Sequence, residues 1–392
     1  MQQIMTILPE DELIICCARN HLNQEMIVRI QSLVQSNIDW VHVIKMAQRH
    51  GLMPLLYKSL EVTCPESVPN TIMQDLRKNF YANERRNLFL TAELIKLLHV
   101  FGNESIYAVP FKGPSLAASV YGDLALRQFS DLDILIQRQH VLKARDMLVS
   151  LGFIQGVEFE ENHAKSLLKY QYELTFSHKN GKIFVGLHWE LVPRYLNCPL
   201  MSRYLWNQCR PIAGDSGLPL LPPDILLLML CIHGTKDFWR QMIWVCDVAE
   251  LVRVHKDLDW ISVITLAENL GCQRMLFLGL YLAKDILGAS CPDEIMQRIV
   301  GSPSVEKLAW QIKRALFDEN DNGMPGIGNL LFYLRSKERL QDKIRYCQRL
   351  VTTISPRDWS FLPLPASLFF LYYLLRPVRL TSEYLFRLRK QS

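Results

Sequence analysis

The sequence has little charge of one sign. Its 44 lysines and arginines stand against 39 aspartates and glutamates, a net of +5 over 392 residues. An excess that small, scattered along the chain, suits an anionic ligand but lacks the concentrated basic face of a nucleic-acid-binding surface. No stable nucleic-acid partner is therefore expected. The chain also has no CxxC pair among its ten cysteines, which excludes a zinc ribbon and a thioredoxin-like redox site. Cys231 lies inside the apolar run Ile225–Ile232, where a buried free thiol is the natural expectation. The cysteines as a set read as reduced core residues of a cytoplasmic protein. No apolar run approaches the ~20 residues that span a bilayer; the longest lie near Ile225–Ile232 and Leu368–Leu375. No transmembrane segment is expected. The first residues, MQQIMTILPEDELIICC, have no basic stretch before the apolar one and meet acids by Glu10, unlike a signal peptide. Internal repeats and low-complexity tracts are absent too, which removes solenoids and linker-like arrays.

Apolar residues make up 49% of the chain and charged residues 21%, the balance of a folded protein. The length implies two or three domains. Residues 1–103 read as helices: Ile27, Val28, Ile30 and Leu33 recur at helical spacing, as do Leu88, Leu90, Leu94, Leu97 and Leu98. Met53, Leu55, Leu56 and Leu60 form a core stripe. Residues 104–215 change character. Ser105–Phe111 is a short β-prone run, and a helix starts at Pro114 and stops at Gly122. Asp131–Ile136 reads as a strand, and Val141–Leu151 as a helix. Tyr170–Ser177 and Lys182–Leu191 read as two strands around Asn180-Gly181, which predicts a type I′ hairpin turn. Residues 216–392 return to helices, with a polar hinge at 318–328 and a basic tail at 376–389 that reads as a solvated face. The fold class is α+β: a small mixed sheet flanked by N-terminal and C-terminal helical regions.

Chemistry concentrates in Phe111–Ile136, FKGPSLAASVYGDLALRQFSDLDILI. Asp131 and Asp133 are two apart on a strand, so both side chains point to one face, while Leu132, Ile134 and Ile136 point into a core. Adjacent carboxylates repel one another and are costly to hold together without a cation. Magnesium answers that need, because it takes oxygen ligands and is usually held by one or two carboxylates plus substrate phosphates. Two such ions clamp both oxygens of an in-line displacement. Upstream, Gly113 and Ser115 form a turn at a helix N-terminus, a place for phosphate. Lys112 and Arg127 bracket that helix and supply charge to neutralise a triphosphate.

These residues resemble a bacterial nucleotidyltransferase-like family of the DNA polymerase beta-like superfamily. Its core pairs Lys-Gly and an arginine with an Asp-x-Asp strand, followed by a hairpin carrying Leu-His-Trp. Here those elements are Lys112-Gly113, Arg127, Asp131-Leu132-Asp133 and Leu187-His188-Trp189. The family's later His-Gly and Trp-x-x-Asp helices are similar to His233-Gly234 and Trp244–Asp247, and its closing segment to Pro363–Pro377. The resemblance implies a nucleotidyltransferase core that uses Mg2+ to move a nucleoside monophosphate from a nucleoside triphosphate to an acceptor hydroxyl. That acceptor, whether small molecule, sugar or protein, is not named by the residues, and neither is the oligomeric state.

In this resemblance Asp131 and Asp133 hold metal, Lys112, Gly113, Ser115 and Arg127 hold phosphate, and His188 lines the pocket. One departure stands out. The family usually has an acidic residue two positions before the Leu-His-Trp histidine, and this chain has Gly186. Glu190, on the same face if the strand is regular, is the expected catalytic replacement; Glu173, on the neighbouring strand, is the other. If neither serves, the chain is a degenerate nucleotide-binding or scaffolding protein. His233, Lys236 and Asp247 are expected to be polar contacts between helices.

Overall fold

The computed structural model describes residues 7–156, 171–193, 218–318 and 326–352, together with 168, 196, 205–206, 212–213 and isolated positions between 362 and 382. Five helices come first: α1 (Pro9–Cys17), α2 (Gln24–Val34), α3 (Trp40–His50), α4 (Met53–Thr63) and α5 (Asn70–Asn103). Local chemistry sets their ends. The Asn23 side chain accepts the Met26 N–H ahead of α2, Asp39 accepts those of Val41 and His42 ahead of α3, and left-handed Gly51 closes α3. With 34 residues, α5 runs about 51 Å.

The chain then builds β1 (Ala108–Pro110), the short α6 (Pro114–Leu116) continued by a wide turn over Ala117–Tyr121, β2 (Leu132–Ile136), α7 (Val141–Ser150), β3 (Phe153–Gln155), β4 (Glu173–His178) and β5 (Phe184–His188). Left-handed Gly122 ends the wide turn, as expected of the stop there. The sheet order is β1-β2-β5-β4-β3. Only β2 and β5 pair in parallel, Asp133 opposite Gly186, and the other pairs are antiparallel. The sheet is therefore mixed, as expected.

Asn180-Gly181 does close the β4–β5 hairpin, but not as a type I′ turn. Among the described residues only Gly181 of that pair has positive φ, at 69°. The Asn180 side chain accepts the Lys182 N–H at 2.9 Å instead, and the Gly181 N–H donates to the His178 carbonyl at 2.8 Å. A side-chain hydrogen bond thus spares Asn180 the left-handed conformation and leaves it to glycine alone.

Beyond the small pair β6 (Ile212–Ala213) and β7 (Pro219–Leu220), helices resume: α8 (Pro223–Lys236), α9 (Met242–Val254), α10 (Trp260–Leu270), α11 (Gln273–Leu287), α12 (Asp293–Val300), α13 (Pro303–Leu316), α14 (Gly326–Ser336) and α15 (Leu340–Thr352). Most of the hinge expected at 318–328, and most of the basic tail and the Pro363–Pro377 segment, lie outside the described residues.

Two cores hold these parts. One lies under the sheet, where Leu132, Ile134 and Ile136 meet Leu90, Leu94 and Phe101 of α5 and Ala144 and Leu148 of α7. The other joins the two helical regions, with Leu13 and Leu56 packing in the same cluster as Leu228, Val245 and Leu278. Buried His50 ties them further: its ring faces the Leu316 carbonyl at 3.0 Å and accepts the Met242 N–H at 3.3 Å. The seven described cysteines inside these cores are buried free thiols, and Cys347 is exposed. Among the described residues no helix is long and apolar enough to cross a membrane.

Candidate functional site

The alternation read from the sequence positions the acidic pair. Asp131 immediately precedes β2 and Asp133 lies within it, on the face opposite the residues that pack into the core under the sheet. That face continues across the parallel pairing to Gly186 and His188 of β5, then across the antiparallel pairing to Thr175 and Glu173 of β4. It floors a cavity of ≈330 Å3 that includes Asp131, Asp133, Glu173, His188 and Lys112, closed on another side by His233 and Lys236 of α8. Larger cavities of ≈880 and ≈660 Å3 lie elsewhere, but they do not contain the acidic pair.

Strand β1 delivers Lys112 and Gly113. The Phe111 N–H donates to the Asp133 carbonyl, which sets the turn against β2. Gly113 has φ 52° and ψ −123°, a conformation open to glycine, and a Cβ there would lie 3.3 Å from the Asp131 carbonyl oxygen. Ser115 follows at the start of α6. It is buried, and its Oγ has no hydrogen-bond partner among the described residues. A buried hydroxyl left unpaired costs free energy, but neither Gly113 nor Ser115 is among the residues that line the cavity.

The charges are unevenly matched. Asp133 makes two contacts, with Lys112 Nζ at 3.3 Å and His188 Nε2 at 2.9 Å. Burial works against its ionised form, yet Lys112 and His188 hold its carboxyl well below the ordinary range. Asp131 moves the other way. Lost hydration and the Asp133 charge raise it, although its outer edge is open to solvent. Glu173 adds a third carboxylate, 3.3 Å from His188 Nε2. Lys112 also reaches His233 Nδ1 at 3.3 Å, and burial, with Lys112 and Lys236, holds that histidine in its neutral form. The same Nδ1 lies 3.3 Å from Asp237 Oδ2.

Arg127 is not among the residues that line this cavity. Its Nε and Nη2 donate to both carboxylate oxygens of Asp247 on α9, each at 2.8 Å, and Tyr121 donates its hydroxyl to the same carboxylate at 2.8 Å. Burial opposes the charge on Arg127, but Asp247 offsets it and its pKa lies above the ordinary value. The fork that the sequence assigned to phosphate is thus already filled by a carboxylate.

Glu190 does not line the cavity either. The expectation assumed a regular strand, but β5 ends at His188. The N–H groups of Trp189 and Glu190 both donate to the Tyr172 carbonyl, at 3.0 and 3.3 Å. Two residues opposite one is a bulge, and alternation fails beyond it. Trp189 turns into the core under the sheet.

Gly186 has a physical reason. A Cβ built there would lie 2.6 Å from Asp133 Oδ1 and 2.8 Å from His188 Nε2. The imidazole occupies the space where an acidic side chain would stand. His233 and Lys236, expected as contacts between helices, instead face the site. His233 carries a signal in the His-Gly resemblance, whereas Lys236 has only its position on the last turn of an apolar helix, which fits many buried contacts equally well.

The donor set suits a hard cation. Two adjacent carboxylates, one of them raised by the other, offer oxygen ligands only, which is the preference of Mg2+. Among the described residues no group of three or more His, Cys, Asp or Glu side chains is gathered to hold a metal. The pair would therefore depend on substrate oxygens to complete the shell.

A family model described as an uncharacterised nucleotidyltransferase matches residues 36–288. No curated protein and no solved structure matches the chain. The matched span runs from just beyond α2 to the residue after α11 and includes the whole five-stranded sheet, His233 and Asp247. It covers more than half of the 392 residues, and the chain belongs to this nucleotidyltransferase family.

Proposed function

We propose that the chain moves a nucleoside monophosphate from a nucleoside triphosphate to an acceptor hydroxyl, with Mg2+ held by Asp131 and Asp133. The observation that carries this is the acidic pair on one strand face, beside Lys112 and the Gly113 turn with its unpaired Ser115 hydroxyl. The metal supplies charge neutralisation at the phosphates and lowers the barrier to displacement. Ser115 Oγ and the backbone N–H groups of the turn hold phosphate oxygens. Lys112, 3.3 Å from Asp133, would supply its ammonium to the phosphates once the acidic pair holds a cation.

The acceptor oxygen forms a bond to the α-phosphorus, the bond to the bridging oxygen of the β-phosphate breaks, and pyrophosphate departs. The hydroxyl proton passes to a base. Glu173 is the best-placed carboxylate, since it lines the cavity and lies beside His188. Arg127 serves by position: locked to Asp247, it fixes the segment leading into Asp131. Most of the rate acceleration comes from positioning and electrostatics.

Gly186, together with the lack of a gathered three-ligand group among the described residues, favours a second reading, a nucleotide-binding protein without turnover. Calorimetric titration with each of the four ribonucleoside triphosphates, with and without Mg2+, tests the site. Binding that needs Mg2+ and disappears in the Asp131→Asn/Asp133→Asn variant is expected. Equal binding by that variant would remove the metal assignment. Binding without release of pyrophosphate, in the presence of sugar, small-molecule and protein acceptors, would favour the second reading.

A further inference from the structure

A second cavity of ≈660 Å3 opens between the end of α1, the end of α9 and the α11–α12 connection. Its size lies within the range of small-molecule sites, and it is larger than the ≈330 Å3 carboxylate cavity. Arg19, Arg253 and Lys256 line it with the imidazoles of His21 and His255, and the indole of Trp260 forms part of the wall.

Of the two acids in the lining, Glu250 is engaged and Asp293 is exposed to solvent. Glu250 is buried; its Oε1 accepts the Asn20 N–H at 3.0 Å and its Oε2 accepts Arg253 Nε at 2.7 Å. Asp293 sits in the first turn of α12, where a negative charge complements the helix end. The cations are less well matched. Arg19 makes one long bond, from Nη2 to the Ile15 carbonyl at 3.4 Å, and its buried Nε has no partner among the described residues. Lys256 and His21 form no ion pair among the described residues. The Nε atom is itself closed off from solvent, but the guanidinium's outer N–H groups, with one long bond between them, are available to an anion in the cavity.

We propose that this cavity is a ligand site for a small organic phosphate, distinct from the carboxylate cavity. The anion faces Arg19 and Lys256, and the ligand's planar portion lies against Trp260. The same wall reaches the proposed catalytic core. Asn20, whose N–H binds Glu250, donates its side chain to the Tyr121 carbonyl at 2.8 Å, and Tyr121 binds Asp247.

The test is calorimetric titration of the full chain with adenosine monophosphate and, separately, with inorganic phosphate, both in EDTA so that the acidic pair holds no metal. Lys256→Ala removes an exposed charge that does not line the ≈880 Å3 cavity, and Arg19→Gln removes the unpaired guanidinium. Adenosine monophosphate should bind the wild type and Lys112→Ala equally. It should bind at least tenfold more weakly to Lys256→Ala and to the double variant, with Lys256→Ala keeping the wild-type melting temperature. Binding lost in Lys112→Ala but kept in Lys256→Ala would place the probe in the carboxylate cavity and overturn the proposal. So would the absence of binding at millimolar concentration. Inorganic phosphate bound as tightly as the nucleotide would overturn the organic ligand. None of these outcomes depends on Mg2+ or turnover, so the proposed reaction stands or falls separately.

Discussion

Removing Asp247 should destabilise the protein through the charge it leaves behind. The Arg127 and Asp247 side chains are only 7% and 1% exposed, so solvent screening gives little relief. Asp247→Ala leaves a buried guanidinium without its counter-ion, a change that costs about 3–5 kcal/mol. At about 2.1 cal/mol/K of unfolding entropy per residue, that loss lowers Tm by about 4–6 °C if the 392 residues unfold together. The decisive comparison is Arg127→Met/Asp247→Leu, which removes both charges and fills the space with apolar side chains. Tyr121 loses its acceptor in either variant, so that term cancels. The double variant should recover at least half of the lost Tm, because replacing a whole buried pair is often neutral. Scanning calorimetry reads both. A fall below 1 °C in Asp247→Ala, or a double variant as unstable as the single one, would refute the account of a stranded buried charge.

Glu173→Gln should slow nucleotidyl transfer by about 100-fold or more, as expected for loss of a positioned base, while Glu190→Gln stays near wild type. Steady-state kinetics that reverse the order would return the role to Glu190. His50 should make stability fall in mild acid. Burial, then the Arg49 charge, lowers its pKa to about 4, against about 6.5 when unfolded. Between those values the unfolded chain binds the extra proton, so the contribution is complete above about pH 6.5 and is lost as pH falls toward 4. That amounts to about 2 kcal/mol between pH 7 and 5. Denaturant titrations of wild type and His50→Gln should differ by this slope, and parallel pH profiles would show that His50 is not held neutral.

The acidic pair and its strand were legible because they depend on local pattern. Asp131, Leu132, Asp133, Ile134 and Ile136 alternate, and nothing distant is needed to sort two faces. Pro114 and Gly122 likewise mark their ends by intrinsic backbone preference. Arg127 was harder to assign, because a guanidinium fork fits phosphate and carboxylate equally well. Only packing 120 residues apart shows that Asp247 occupies it. Glu190 depended on a strand staying regular for two more residues, and the interruption comes from the carbonyl of Tyr172, just ahead of β4. His233 and Lys236 reach the site because α8 packs across it, a consequence of the helical core rather than of their neighbours in sequence.

Gly186 reads by itself as a lost carboxylate and so as a lost activity. The cross-strand register changes that inference. Glu173 of β4 stands directly opposite His188 of β5, and its carboxylate approaches the same Nε2 that contacts Asp133. Absence of a side chain at position 186 is what lets the imidazole lie between them, since a Cβ there would collide with both Asp133 Oδ1 and His188 Nε2. The acidic count around the cavity is therefore still three, with the third member on the adjacent strand and a histidine interposed. Because it sits one strand further from Asp133, Glu173 is better suited to receive an acceptor proton than to share the metal. Gly186→Asp then carries opposite expectations under the two readings. In a degenerate site it restores a missing ligand and raises Mg2+-dependent turnover. In a site organised around Glu173 and His188 it displaces the imidazole and lowers it. We expect the loss.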